Sequence, residues 1–206
     1  MNADIIADLL ARWQEKERAH LTIGIGGGSA SGKTTLAEQL ARHLEPLRVE
    51  IVHQDRFFKA QDELPPYKSA ATSRTWPDYN HPDSIKNAEL LAHCRQLNGI
   101  DVAIVEGILV LYHGELRDLM DIKCYVDAAA DERIVRRIRR NLAHYPIDDI
   151  ADYYLESVRH QHERYNAPTR RCADLIIPGG MDSTTQRDGL VNALCQAILN
   201  HSGFNP

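Results

Sequence analysis

No apolar run in the chain approaches the ~20 residues that a membrane-spanning helix requires. The stretch Met1–His20 carries acidic residues early and no apolar centre, which is not the pattern of a secretory leader. Cysteine is scarce. The four residues Cys94, Cys124, Cys172 and Cys195 lie far apart without a CxxC pair, so neither a disulfide framework nor a redox motif is expected. They read as free thiols of a reducing compartment, most of them packing residues. No Cys/His cluster has zinc spacing, and the rings of His160-x-His162 cannot share one helix face. An excess of positive charge is also missing. Twenty-nine acidic residues stand against 24 basic ones, a net charge of −5, whereas nucleic-acid-binding domains are usually basic. Internal repeats, low-complexity segments and linker-like Pro/Gly clusters are absent as well. A 206-residue chain of this kind is expected to be one cytosolic domain with neither a membrane nor a nucleic-acid partner.

The sequence does contain Gly27-Gly28-Ser29-Ala30-Ser31-Gly32-Lys33-Thr34, which fits G-x-x-x-x-G-K-[ST]. The apolar run Leu21–Gly26 precedes it. Behind it, Leu36, Leu40 and Leu44 recur at helical spacing. Strand, glycine loop and helix together form an anion nest at the positive end of a helix. Lys33 can reach the β- and γ-phosphates and the Thr34 hydroxyl can ligate Mg²⁺. Residues 27–35 are therefore expected to bind a nucleoside triphosphate.

Strands are expected at Leu21–Gly26, Val49–His53, Val102–Val105, Ile122–Val126 and Leu175–Ile177. Helices are expected near 33–44, 84–97, 129–142, 149–163 and 184–199. This alternation specifies an α/β fold with a doubly wound, parallel five-stranded sheet. Residues 4–18 form a leading amphipathic helix with Ile6, Leu9, Leu10 and Trp13 on one face, an accessory to the domain that starts at residue 21. Between Phe57 and Asn80 the chain is polar and proline-bearing, and reads as a long loop whose aromatics either line a cleft or pin the loop down.

Three further features carry chemistry. Asp55 follows the second strand, at the sheet edge where ligands of open parallel sheets bind. A carboxylate there can take a proton from an attacking hydroxyl, hold Mg²⁺ through water, or cap the next turn. Glu106 closes the apolar run Val102–Val105 and can hold the metal's water shell, or be an ordinary strand-end acid. Arg133, Arg136, Arg137, Arg139 and Arg140 stud one helix. Arg137 and Arg140, three apart, are the pair expected to meet transferring phosphate, with the other three on the surface.

The glycine loop, Gln54–Phe58, Asn80-His81-Pro82-Asp83, Val105–Leu109, Leu116–Met120, Val126-Asp127, Arg136–Arg140, Pro168–Arg171 and Ile176-Ile177-Pro178 together resemble uridine kinases of the uridine kinase and phosphoribulokinase superfamily. The resemblance runs in order from about residue 21 to 198. It implies a P-loop kinase of the nucleoside-kinase type that uses ATP or GTP and Mg²⁺ to phosphorylate a ribonucleoside 5′-hydroxyl. By it, Asp55 would be the base, Arg137 would contact the ribose and Arg140 the phosphates, and a lid would lie around 141–150. A homo-oligomer is compatible with the family. The family's pyrimidine-reading hairpin is missing, because only Leu97–Asp101 separates helix from strand. The ribose-gripping acid is replaced by Asn80. These departures leave nicotinamide riboside or another small alcohol or sugar open as acceptor, with Tyr79 and Tyr145 about the ring. A nucleotide-binding switch is the alternative outside the enzymes.

Overall fold

The computed structural model describes residues 2–16, 18–70, 73–201 and 204. The β-rich runs expected from the sequence form β1 (Leu21–Gly27), β2 (Val49–His53), β5 (Val102–Glu106), β6 (Ile122–Asp127) and β7 (Leu175–Pro178). They pair in parallel in the order β2–β5–β1–β6–β7, with β1 at the centre. Because the chain passes from β1 out to β2 and later across to β6, the carboxyl end of β1 lies where the winding reverses.

The alternation within β1 explains its composition. Leu21, Ile23 and Ile25 face one core and are fully buried. Each such side chain stabilises the fold by about 1.5–3 kcal/mol relative to exposure. Gly24 and Gly26 face the other layer, where a Cβ on Gly24 would lie 2.0 Å from Met120 Sδ. The first core is closed by α1 (Asn2–Glu15), α2 (Lys33–His43) and α8 (Thr184–Leu199). Ile6, Leu9, Leu10 and Trp13 of α1 are buried in it, and the Trp13 ring stacks on Phe204 at 4.7 Å. The second core lies under α3 (Asn87–Gln96), α4 (Gly114–Asp118) and the Leu109–Leu111 segment. Cys94, Cys124 and Cys195 are buried free thiols. Loss of hydration pushes Cys94 up to about 11 and the other two to about 12. No described helix is long and apolar enough to cross a membrane.

Two segments differ from expectation. The 57–80 region is not a bare loop: β3 (Pro66–Lys68) and β4 (Thr75–Pro77) pair antiparallel, with Tyr67 opposite Trp76. Strands of three residues with proline at an end carry too little alternation to be read from sequence. The helix expected at 149–163 starts behind Pro146 as α6 (Ile147–Tyr153). It continues through a π-helical segment Tyr154–Val158, α7 (Arg159–Gln161) and a second π segment His162–Asn166. Between β6 and α6 lies α5 (Ala130–Asn141), the arginine helix.

Candidate active site

The loop after β1 turns into α2 at Gly32, whose φ of +102° is the left-handed region that favours glycine. Ser31 N donates to Gly28 O at 3.1 Å, tightening the loop. Lys33, only 7% exposed, donates from Nζ to Gly28 O at 2.9 Å, so the ammonium spans the loop from within. Burial depresses its pKa; Glu106 and Asp55 act in the opposite direction.

Strand register assembles the acids. β2 and β1 both pair with β5, setting His53 and Ile25 opposite Glu106 at the sheet's carboxyl edge. Glu106 Oε1 consequently meets His53 Nδ1 at 2.8 Å and accepts from Thr34 Oγ1 at 3.1 Å. Asp55 lies two residues beyond β2 in a 3₁₀ turn, Gln54–Phe57, pinned by the fully buried Gln54, whose Oε1 accepts from Leu109 N at 2.8 Å. The Asp55 side chain is open at the cavity mouth, yet surrounding protein atoms strip enough hydration to raise its carboxyl above the usual range. Lys33 opposes that rise and Glu106 adds to it.

A cavity of about 850 Å³ runs along this edge. Ser29 through Thr35, Asp55, Tyr79, Asn80, Glu106, Arg137 and Arg140 all line it. Gly27 and Gly28 stand behind the lining rather than in it. Gly27 O accepts from Asn166 Nδ2 at 2.9 Å, and a Cβ on Gly28 would come within 2.5 Å of Arg133 Nη1. Tyr145 is not brought to this cavity. It is 58% exposed and lines a second cavity of about 380 Å³, which shares Tyr79, Arg137 and Tyr153 with the first.

The arginine helix requires a correction. Arg139 is exposed as expected, but Arg133 is 5% exposed, with Nε donating to Ala128 O at 3.1 Å. Arg136 lines the cavity and donates from Nη2 to Gly179 O at 2.8 Å while paired with Glu132. Arg137 Nη1 donates to Ser29 Oγ at 3.0 Å, and its guanidinium lies over the Tyr153 ring at 5.5 Å. Burial lowers the Arg137 pKa. The signal was available: residues 133, 136, 137 and 140 form an i, i+3, i+4, i+7 stripe that excludes 139. His53 was legible only through register. Tyr153 had no signal beyond being aromatic on a helix. Among the described residues no group of three or more His, Cys, Asp or Glu is arranged to hold a metal. Thr34 Oγ1 beside Glu106 does provide a hard-oxygen pair of the kind that binds Mg²⁺ together with phosphate.

A phosphate-loop lysine and threonine at the junction of the central strand and its helix, with one carboxylate closing β5 and another just beyond β2, define an α/β P-loop phosphotransferase. The fold is shared with a shikimate kinase from Bacteroides thetaiotaomicron, 19% identical, covering 85% of this chain and 96% of that one with a TM-score of 0.51. It is shared likewise with a gluconokinase from Sinorhizobium meliloti, 13% identical, covering 88% and 93% at a TM-score of 0.52. Sequence goes further. The Phosphoribulokinase / Uridine kinase family pattern matches residues 64–186. A uridine kinase of Brevibacillus brevis is 35% identical over 88% of this chain and 95% of its own length. One of Bacillus subtilis is 34% identical over 89% and 97%. The chain belongs to the phosphoribulokinase and uridine kinase family, and is a phosphotransferase that moves phosphate from ATP to a hydroxyl group.

Proposed function

We propose that this kinase phosphorylates the 5′-hydroxyl of a ribonucleoside of the uridine or cytidine type. The observation that carries the reading is the meeting of Asp55, Lys33, Thr34, Glu106, Arg137 and Arg140 around one cavity at the reversal point of the sheet. Backbone N–H groups of residues 27–35 cradle the polyphosphate, and Lys33 exchanges the Gly28 carbonyl for phosphate oxygen. Thr34 and Glu106 are the residues that would hold Mg²⁺, which when bound neutralises charge between the β- and γ-phosphates. Asp55 orients the acceptor hydroxyl and takes its proton, a task suited by a carboxyl poised above its ordinary range. Arg137 and Arg140, with Arg136, meet the charge that develops in transfer, in the manner of preorganised donors. Tyr79 and Asn80 bound the acceptor side of the cavity. Residues 141–150 act as the lid, and the reading includes a cytosolic location, in keeping with three buried, reduced thiols.

One observation favours a second acceptor. The link Leu97–Asp101 holds no hairpin, and the second cavity is walled instead by Tyr67, Trp76, Tyr79, Tyr145 and Tyr153 with Asp149, Asp152 and Glu156. Aromatic faces beside carboxylates suit a flat, positively charged ring, as in nicotinamide riboside. An ADP-release assay with ATP and Mg²⁺ against uridine, cytidine, nicotinamide riboside and simple sugars separates the cases. Turnover with uridine or cytidine supports the first reading, and turnover with nicotinamide riboside alone selects the second. Nucleotide binding without turnover of any acceptor rejects both in favour of a switch.

A further inference from the structure

We infer that Asp78 is a positioning residue that holds the acceptor wall of the site in register with the arginine helix; the inference rests on the nucleoside-kinase reading above. Asp78 follows β4, where its N–H donates to Pro65 O at 2.8 Å, so the hairpin fixes its backbone. Its side chain is 3% exposed. A carboxylate that deep is costly unless its oxygens are satisfied, and here neutral donors do so. Oδ1 accepts from Asn80 N at 2.9 Å and from Ser157 Oγ at 3.1 Å, and Oδ2 accepts from Gln161 Nε2. Ser157 lies in the first π segment and Gln161 in α7, so one carboxylate ties the Tyr79–Asn80 stretch to a helix that departs from regular winding at that point.

The tie is relayed through Tyr153, on the same helical run. Its hydroxyl donates to Pro77 O at 3.1 Å and accepts from Tyr79 N and Asn80 Nδ2 at 3.4 Å each. The face of the same ring carries Arg137, which reaches Ser29 of the phosphate loop. Asp78 touches neither nucleotide nor acceptor position. It sets the distance between groups that do: Tyr79 and Asn80 on one side, Arg137 on the other. A misplacement of the order of an ångström at such a site is costly in transfer while leaving the phosphate cradle intact.

The test compares wild type with Asp78→Asn and Ser157→Ala. The first keeps the shape but replaces one of the two acceptor oxygens with a donor, so either Gln161 or the Asn80 N and Ser157 pair loses its acceptor; the second removes one donor from the far side. For Asp78→Asn the expectation is about a tenfold loss of kcat/KM for the nucleoside, an ATP KM within about twofold of wild type, and more ADP released per product formed. Ser157→Ala shifts the same three quantities in the same direction by a smaller factor. Amide exchange at Asn80 accelerates in both variants while exchange in the loop 28–33 stays as in wild type. The exchange readout does not depend on which acceptor is used. A wild type silent with nucleosides therefore removes the substrate reading without touching this one. Unchanged exchange at Asn80, or equal losses for ATP and nucleoside, overturns the positioning role. If Asp78→Asn fails to fold, Ser157→Ala decides by the same criteria.

Discussion

Acidification below neutrality should weaken the fold through His162, a ring that the folded chain keeps neutral. It lies in the second π segment, against Gly28 beneath the phosphate loop, and its Nδ1 is buried without a hydrogen-bond partner. Loss of hydration, with Arg133 and Lys33 as neighbouring cations, lowers its pKa from 6.5 to about 4. The folded pKa thus lies below the unfolded one. Between the two values the unfolded chain holds a proton that the folded chain does not, so stability is full above the window and falls as pH drops through it. From about pH 7.5 to about pH 5 this single site costs about 2 kcal/mol of stability, which for a chain of this size is about 5 °C in Tm. His162→Gln, neutral throughout, should lack that component. Urea unfolding of wild type and variant at both pH values reads it directly, because every other titrating group cancels in the comparison. Identical pH dependence in the two proteins would refute the reasoning, and so would a wild type that loses less stability than the variant on acidification.

Asp55→Asn should lower kcat by at least ~10² with ATP KM nearly unchanged, as steady-state kinetics with a saturating acceptor will show. The same substitution should raise the Tm of the ligand-free protein at neutral pH. The folded site lifts this carboxyl's pKa, so its ionised form is disfavoured there, and a neutral amide removes that cost. Lys33→Ala should abolish phosphate transfer and weaken nucleotide binding together; transfer at wild-type rate would contradict the role given to the loop. Trp13→Ala should cost about 3–5 kcal/mol in denaturant unfolding, since the ring is buried between α1 and the rest of the first core. A loss below about 1 kcal/mol would instead mark α1 as a detachable accessory.

The sheet was legible in the sequence because its strands are unambiguous. Apolar, β-branched runs such as Val102–Val105 mark them, whereas the order that puts β1 at the centre comes from the structure alone. Lys33, Thr34, Asp55 and Glu106 were legible for the same reason, as each sits at a strand end or in the loop. What escaped depends on contacts between distant segments. Arg133 and Arg136 read as surface because a helix of arginines in an acidic chain resembles a solvated face until the phosphate loop and the Gly179 carbonyl are brought beside it. The hairpin 66–77 escaped because its strands are three residues long. Asp78 and Tyr153 escaped because the bonds by which they tie the 77–80 stretch to the helix 153–161 cross more than seventy residues.

The lysine bridge inside the phosphate loop has a consequence for nucleotide exchange. Lys33 Nζ is bonded to Gly28 O, so part of its donor capacity is committed within the protein itself. On the proposed reading a triphosphate oxygen would take the place of that carbonyl, so binding would exchange a dipolar partner for an anionic one rather than fill an unmet need. When product leaves, the Gly28 carbonyl would take the ammonium back. On the same reading, this contact would add only the difference between two acceptors to nucleotide affinity, which limits how tightly it holds product.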